Sequence, residues 1–230
     1  MGNVSLSKTS LEGKDPRKSK GQSSRETILL TATKLATIKG LSGLSLGDLA
    51  AEVGMSKSGL YAHFKDKEEL ELAMIETAAV IFDHEVFQPA MTANGGTERL
   101  RVAANSYLSH LERRVFPGGC FFAAVAAELD TRPGLARDLV FEVIGRWLSL
   151  LKQCLLEAQE LGEIDPNTEV DQATFEIEAM LLAANFFFVM SNDLIHLTQG
   201  RKGIENILAR LAASIKSKKK RSALVPLSEK

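Results

Sequence analysis

The sequence is poor in the residues that cross-link or catalyse. Only two cysteines, Cys120 and Cys154, occur in 230 residues. They form no C-x-x-C pair, so a disulfide framework or a zinc site is not expected, and the chain fits a reducing, intracellular setting. Nothing in the residues flanking either thiol marks it as activated. The four histidines, His63, His84, His110 and His196, lie far apart, so no metal is expected. There is no Gly-rich phosphate loop, no G-x-S-x-G, no H-E-x-x-H and no D-x-D cluster, which argues against an enzyme and against a cofactor. Glu128 and Asp130 are two apart, hence on different helix faces, and make a poor acid–base pair. Sustained period-2 runs and Asn-Gly turns are missing too, so strands are not expected. Met1 to Ser24 has no apolar core of a secretion signal. The longest apolar stretch, Ala179–Met190, is interrupted by Asn185 and reads as too short to span a bilayer. No membrane partner is expected, and the location expected is the cytoplasm of a bacterium, at the nucleoid.

What is present is helical and unevenly charged. With 45 % apolar and 25 % charged residues, the composition is that of an ordinary globular protein. The net charge of −1 hides three zones. Residues 1–67 hold 11 Lys/Arg against 6 Asp/Glu, residues 68–215 hold 11 against 22, and residues 216–230 hold 6 against 1. A basic front on an acidic body points to two kinds of partner, and a polyanion such as nucleic acid suits the front.

The patterning predicts an all-α chain of about nine helices. The expected segments are Ser24–Lys39, Leu46–Val53, Lys57–Phe64, Asp66–Phe87, Thr97–Arg114 and Cys120–Asp130. One more follows Pro133 as far as Leu161, and the last two are Val170–Leu197 and Lys202–Ser217. Pro89 and Gly200 read as breakers. Residues 1–22 read as a disordered basic arm and 218–230 as a flexible basic tail. Between them lie a small head, 23–67, and a helical body, 68–217.

Within the head, Ser45 to Phe64 has the spacing of a helix-turn-helix. Ala50 is small enough for a second helix to cross close above it. Gly54 sits where the turn needs positive φ, and Ser56 can cap the second helix. Leu46, Leu49, Val53, Leu60 and Phe64 then face inward. The outward face carries Lys57, Ser58, Tyr61 and His63, none of them acidic. Lys57 suits guanine O6/N7 and Ser58 a base edge, while Tyr61 and His63 suit phosphate oxygens.

The stretch from Arg25 to Met74 resembles the TetR family of bacterial regulators. The likeness is carried by Arg25-Glu-Thr-Ile-Leu-Leu-Thr-Ala-Thr-Lys-Leu-Ala, by Gly40-Leu-Ser-Gly-Leu-Ser-Leu-Gly-Asp-Leu-Ala-Ala, and above all by Ser58-Gly-Leu-Tyr-Ala-His-Phe-Lys-Asp-Lys-Glu-Glu-Leu70. The resemblance implies a homodimer with an N-terminal three-helix DNA-binding head and a C-terminal body that binds a small effector and so releases a palindromic operator. By motif position it implies that Ser45, Tyr61, His63 and Lys67 contact phosphate and that Lys57, Ser58 and Gly59 form the base-reading edge. Arg25 and Ser56 complete the DNA-facing set. Pro117-Gly-Gly-Cys-Phe-Phe and Glu128-Leu-Asp-Thr-Arg-Pro-Gly are similar to one large group of such regulators.

In the body, the Val170–Leu197 helix is apolar on most faces and suits dimerisation together with the last helix. Phe82, Tyr107, His110, Phe121, Phe122, Trp147 and Cys154 mix aromatic with weakly polar groups, as ligand cavities do. The function expected is a ligand-responsive, sequence-specific repressor. An activator with the same head and an architectural DNA-binding protein are the alternatives.

Overall fold

The structure, a computed structural model, describes the backbone of residues 16–222 and the side chains of residues 24–212. Its regular elements are all helical. The head comprises α1 (Pro16–Lys39), α2 (Leu46–Glu52) and α3 (Lys57–Tyr61). The body comprises α4 (Lys67–Phe82), a π-helical turn (Asp83–Phe87), α5 (Gln88–Met91), α6 (Thr97–Glu112), α7 (Phe121–Leu129), α8 (Leu135–Glu160), α9 (Val170–Ser191) and α10 (Ile195–Ser222). If α4, the π turn and α5 are taken as one rod, nine rods make up the described residues.

Four boundaries differ from expectation. First, α1 begins at Pro16, so residues 16–22 of the expected arm are helical; residues 1–15 lie outside the described ones. At the other end α10 runs to Ser222, past the expected start of the tail at 218, and residues 223–230 lie outside. Second, Pro89 does not stop α4. A proline lacks the N–H that an α-helix would bond one turn back. Here the preceding turn is widened, with Gln88 N–H reaching Asp83 O, and the rod continues to Met91. Third, α9 ends at Asn192, which takes the left-handed conformation with φ 58°. Fourth, Gly200 lies inside α10 rather than breaking it. It is buried, and a Cβ there would stand 2.8 Å from Ala184 Cβ. The missing side chain lets α10 press against α9, so this glycine serves close approach and not termination.

The head and body share one apolar core. Ile28, Leu29, Ala32 and Ala36 of α1 are buried with Leu41, Leu44, Leu49, Ala50, Leu60 and Phe64. Leu46 and Val53 are only partly buried. Side-chain caps start α2, α3 and α4. Ser45 Oγ accepts from Asp48 N–H at 3.0 Å, Ser56 Oγ from Gly59 N–H at 3.1 Å, and Asp66 Oδ1 from Glu69 N–H at 2.9 Å. Gly54 has φ +68° in the turn between α2 and α3, as the spacing requires. In the body, α8 lies against α4, α6, α7 and α9, while α9 pairs along its length with α10.

The α9 helix has two contrasting sides. Ala173, Ile177, Leu181, Ala184, Asn185 and Phe188 are buried. Phe175, Leu182, Phe186, Phe187, Val189 and Met190 are exposed. At 22 residues with mean hydropathy 1.5, this helix is long and apolar enough to cross a membrane by length and composition. That corrects the sequence estimate, which weighed only Ala179–Met190. Its inner side is committed to the protein core. The exposed face of α10 is largely polar, with Thr198, Gln199, Lys202, Glu205, Asn206 and Arg210.

Gly200→Ala tests the α9–α10 contact. Overpacking at this site is expected to cost about 1–3 kcal/mol, read as a lower urea midpoint at unchanged slope. A wild-type midpoint would show that the two helices are not in close contact there.

Candidate functional site

The expected DNA face gathers around a surface hollow of about 390 Å³ lined by Ser42, Ser45, Gly47, Lys57, Tyr61 and Lys67. Lys57 folds across Gly47, where a Cβ would stand 2.9 Å from its Cε. Tyr61 is 54 % exposed, although aromatic rings usually seek burial. Lys57 and Ser58 are exposed, and Gly59 and His63 are half-buried. The remaining members of the expected set are engaged within the chain. Ser45 and Ser56 spend their hydroxyls on caps, and Ser56 Oγ lies 3.0 Å from Ser58 Oγ. Lys67 Nζ donates to Ser42 O at 3.0 Å and pairs with Glu71 at 3.6 Å. The Arg25 guanidinium stacks 4.9 Å above the Phe64 ring and lies 3.5 Å from Glu69 Oε1. Arg25 and Lys67 therefore brace the head internally, while Lys57, Ser58 and Tyr61 present the freest side chains.

A second site lies in the body. An apolar cavity of about 250 Å³ is lined by α4, α6, α7, α8 and α9. Phe82, Tyr107, Phe122 and Trp147 supply its rings. Tyr107 and Trp147 stack at 5.8 Å, and Phe82 meets Tyr107, Phe122 and Trp147 edge-on. Three residues expected at such a site do not line it. His110 stands behind Phe82, ring centroids 6.2 Å apart, and against Phe116. Phe121 is fully buried between Phe116 and Phe122. Cys154 is buried two turns further along α8 than Trp147. Burial pushes the His110 imidazole down to about 4 and the Cys154 thiol up to about 11, so both are neutral near pH 7.

Residues the sequence did not single out complete the wall. Ala123, Ala126 and Ala127 of α7 leave the space, and Cys120, Glu178 and Leu182 border it. The Glu178 carboxylate accepts from Trp147 Nε1–H at 2.7 Å. Burial raises its pKa, against the lowering effect of that hydrogen bond. The available signal was a charge inside a long, largely apolar helix. Cys120 is also buried, and burial pushes its thiol up, which is the opposite of activation.

One residue joins the two sites. Glu128, on α7, reaches the loop between α1 and α2, where its carboxylate accepts from Leu41 N–H at 2.8 Å and Ser42 N–H at 2.7 Å. Arg132 backs it at 3.6 Å and donates to Ser42 Oγ at 2.5 Å. Burial opposes the charge on Glu128, but the hydrogen bonds from Ser42 and Leu41 outweigh it and hold the carboxyl below its usual range. Thr37 Oγ1 on α1 accepts from Gly118 N–H at 3.0 Å, and Asn185 Oδ1 on α9 accepts from Cys120 N–H at 2.9 Å. The helix that lines the cavity is thus tied at one end to α9 and at the other to the head.

Residues 28–74 match the family model described as bacterial regulatory proteins, tetR family, and residues 96–204 match the tetracyclin repressor-like C-terminal domain. Together they span more than half of the chain. Among curated relatives, the chain is 27 % identical over 129 residues to the HTH-type transcriptional activator FasR of Mycolicibacterium smegmatis, covering 53 % of this chain and 59 % of FasR. The match therefore spans under two thirds of that relative. It is 24 % identical over 187 residues to the HTH-type transcriptional repressor NemR of Escherichia coli K12, covering 80 % of this chain and 94 % of NemR. Among solved structures, AibR in complex with isovaleryl coenzyme A and operator DNA superposes with a TM-score of 0.66 at 22 % identity, covering 82 % of this chain and 97 % of AibR.

The Glu128 clamp predicts an acid-sensitive head. A carboxyl whose folded pKa is depressed stabilises above its ordinary value, 4.5, and that contribution is lost as pH falls through the folded value. Amide hydrogen exchange at Leu41 and Ser42 should therefore speed up as pH drops below about 4.5, after correction for the intrinsic rate. Glu128→Ala should speed it up already at pH 7, at a cost of about 2–3 kcal/mol. Equal protection in the variant and the wild type at pH 7 would mean that the clamp carries no load.

Proposed function

The chain belongs to the TetR family of transcriptional regulators, and from that footing we propose that it is a homodimeric, sequence-specific repressor released from a palindromic operator by a small effector. The observation that carries this reading is α7, which lines the cavity with Phe122, Ala123, Ala126 and Ala127 and grips the head through Glu128. An occupant that displaces α7 changes how the head is held. Because both Glu128 oxygens hold backbone N–H groups of the head loop, a shift of α7 acts on that loop directly.

DNA contact is assigned to the exposed edge of α3 and the hollow beside it. Lys57 and Ser58 read bases, with Gly59 giving close approach. Tyr61, His63, Ser45 and Lys67 take phosphates, while Arg25 and Ser56 position the face. The bare apolar face of α9, with α10 alongside, supports pairing of two copies as a four-helix bundle. Such a pair suits two recognition helices one duplex turn apart, about 34–36 Å. The protein acts by binding and not by catalysis, in the cytoplasm of its cell. Relatives named for activation and for repression are both HTH-type regulators, and the α7 linkage supports release as the response.

The test is fluorescence anisotropy with the palindrome upstream of the chain's own gene. Specific binding should exceed binding to scrambled duplex by about 10³ at physiological salt. Tyr61→Ala should weaken all sequences alike, and Lys57→Ala should relax preference at one base pair. Equal affinity for operator and scrambled duplex sinks the repressor reading, and unchanged preference in Lys57→Ala removes Lys57 from the base-reading edge.

A further inference from the structure

The chemistry of the cavity wall narrows its ligand. Twelve residues line the space, and none is Lys, Arg or His. The only carboxylate among them is Glu178, whose one hydrogen bond among the described residues comes from Trp147 Nε1. A carboxylate facing an apolar space without a cation is costly, because water no longer solvates it and no opposite charge replaces that solvation. An anionic ligand would add like charge to this wall with no cation to answer it. A neutral ligand would leave the carboxylate as it is. A cation would compensate it directly.

The rest of the wall suits the same ligand. Phe82, Tyr107, Phe122 and Trp147 border one small space. Aromatic faces carry negative quadrupole density and attract ammonium groups, Trp most strongly. Trp147 is both a ring of the wall and the donor to Glu178, so the carboxylate and the best aromatic surface lie side by side. Ala123, Ala126, Ala127, Val143, Ile144 and Leu182 provide the apolar remainder, which suits a hydrocarbon or aryl tail. At about 250 Å³ the space fits a body of one ring and a short chain.

Resting on the reading of this cavity as the effector site, we propose that its ligand is a small lipophilic organic cation, of the aryl-alkyl amine class, held by Glu178 as counter-ion among the four rings. Two features then have one explanation: the one carboxylate on the apolar cavity wall and the aromatic cluster beside it.

Trp147 is the only tryptophan of the chain, so its fluorescence reports the cavity without a label. The full-length protein is titrated with 4-phenylbutylamine, 4-phenylbutan-1-ol and 4-phenylbutanoate, which share one skeleton and differ in charge. The amine should bind about tenfold or more tighter than the alcohol, and the carboxylate weakest. Glu178→Gln retains a carbonyl for the Trp147 N–H, and its thermal melt checks the fold. In this variant the advantage of the amine should fall to within about threefold. The proposal is overturned if the alcohol or carboxylate matches the amine in the wild type, if the variant keeps the full preference, or if no probe perturbs Trp147. Operator release is measured in parallel and separates the two readings. Glu178-dependent amine binding that leaves the operator complex intact supports the cation site and overturns the effector role. Release by the alcohol but not by the amine supports the effector role and overturns the cation site.

Discussion

The Glu128 carboxylate sits where two parts of the molecule meet, and it faces the loop from which the recognition unit hangs. Leu41 and Ser42 follow α1 directly, and their N–H groups have no helical partner. Leu41 is buried, and an unpaired backbone donor there would be expensive. The acid answers both, with Arg132 balancing its charge. Without this contact the short α2 and α3 would be held to the body by α1, α4 and apolar packing alone. The contact between Gly118 and Thr37 is a second polar tie between α1 and the segment leading into α7.

The cavity depends on the opposite principle, the omission of bulk. Phe82 meets three other cavity rings edge-on, a favourable geometry for their quadrupoles. The alanines on α7 decline to fill the space that remains. The wall helix with small side chains is also the one that carries Glu128 near its C-terminal end.

How far this was legible in the sequence follows from the range of each interaction. Turn and cap chemistry is local, so Gly54 and Ser56 could be placed from neighbours within four residues, while the cap role of Ser45 emerges only in the structure. The inward set Leu49, Leu60 and Phe64 followed from helical period. Pro89 and Gly200 were misread because a local breaker rule met tertiary context: a π turn absorbed the first, and the close approach of α9 required the second. Phe82, Tyr107, Phe122 and Trp147 were recognisable as aromatic candidates, but a cavity is defined as much by what is absent, and no residue type announces an empty volume. His110 and Phe121 have the right chemistry one layer too deep. Glu128 pairs with residues 86 and 87 positions away, which no local pattern encodes.

The Glu128 carboxylate takes backbone N–H groups of the loop, and Arg132 adds one bond to the Ser42 hydroxyl. The N–H groups of residues 41 and 42 are present whatever amino acid stands there, proline excepted. Substitutions at exposed positions of α2 and α3 therefore leave both Glu128 bonds in place, and the attachment of the head does not depend on which side chains its outer face carries.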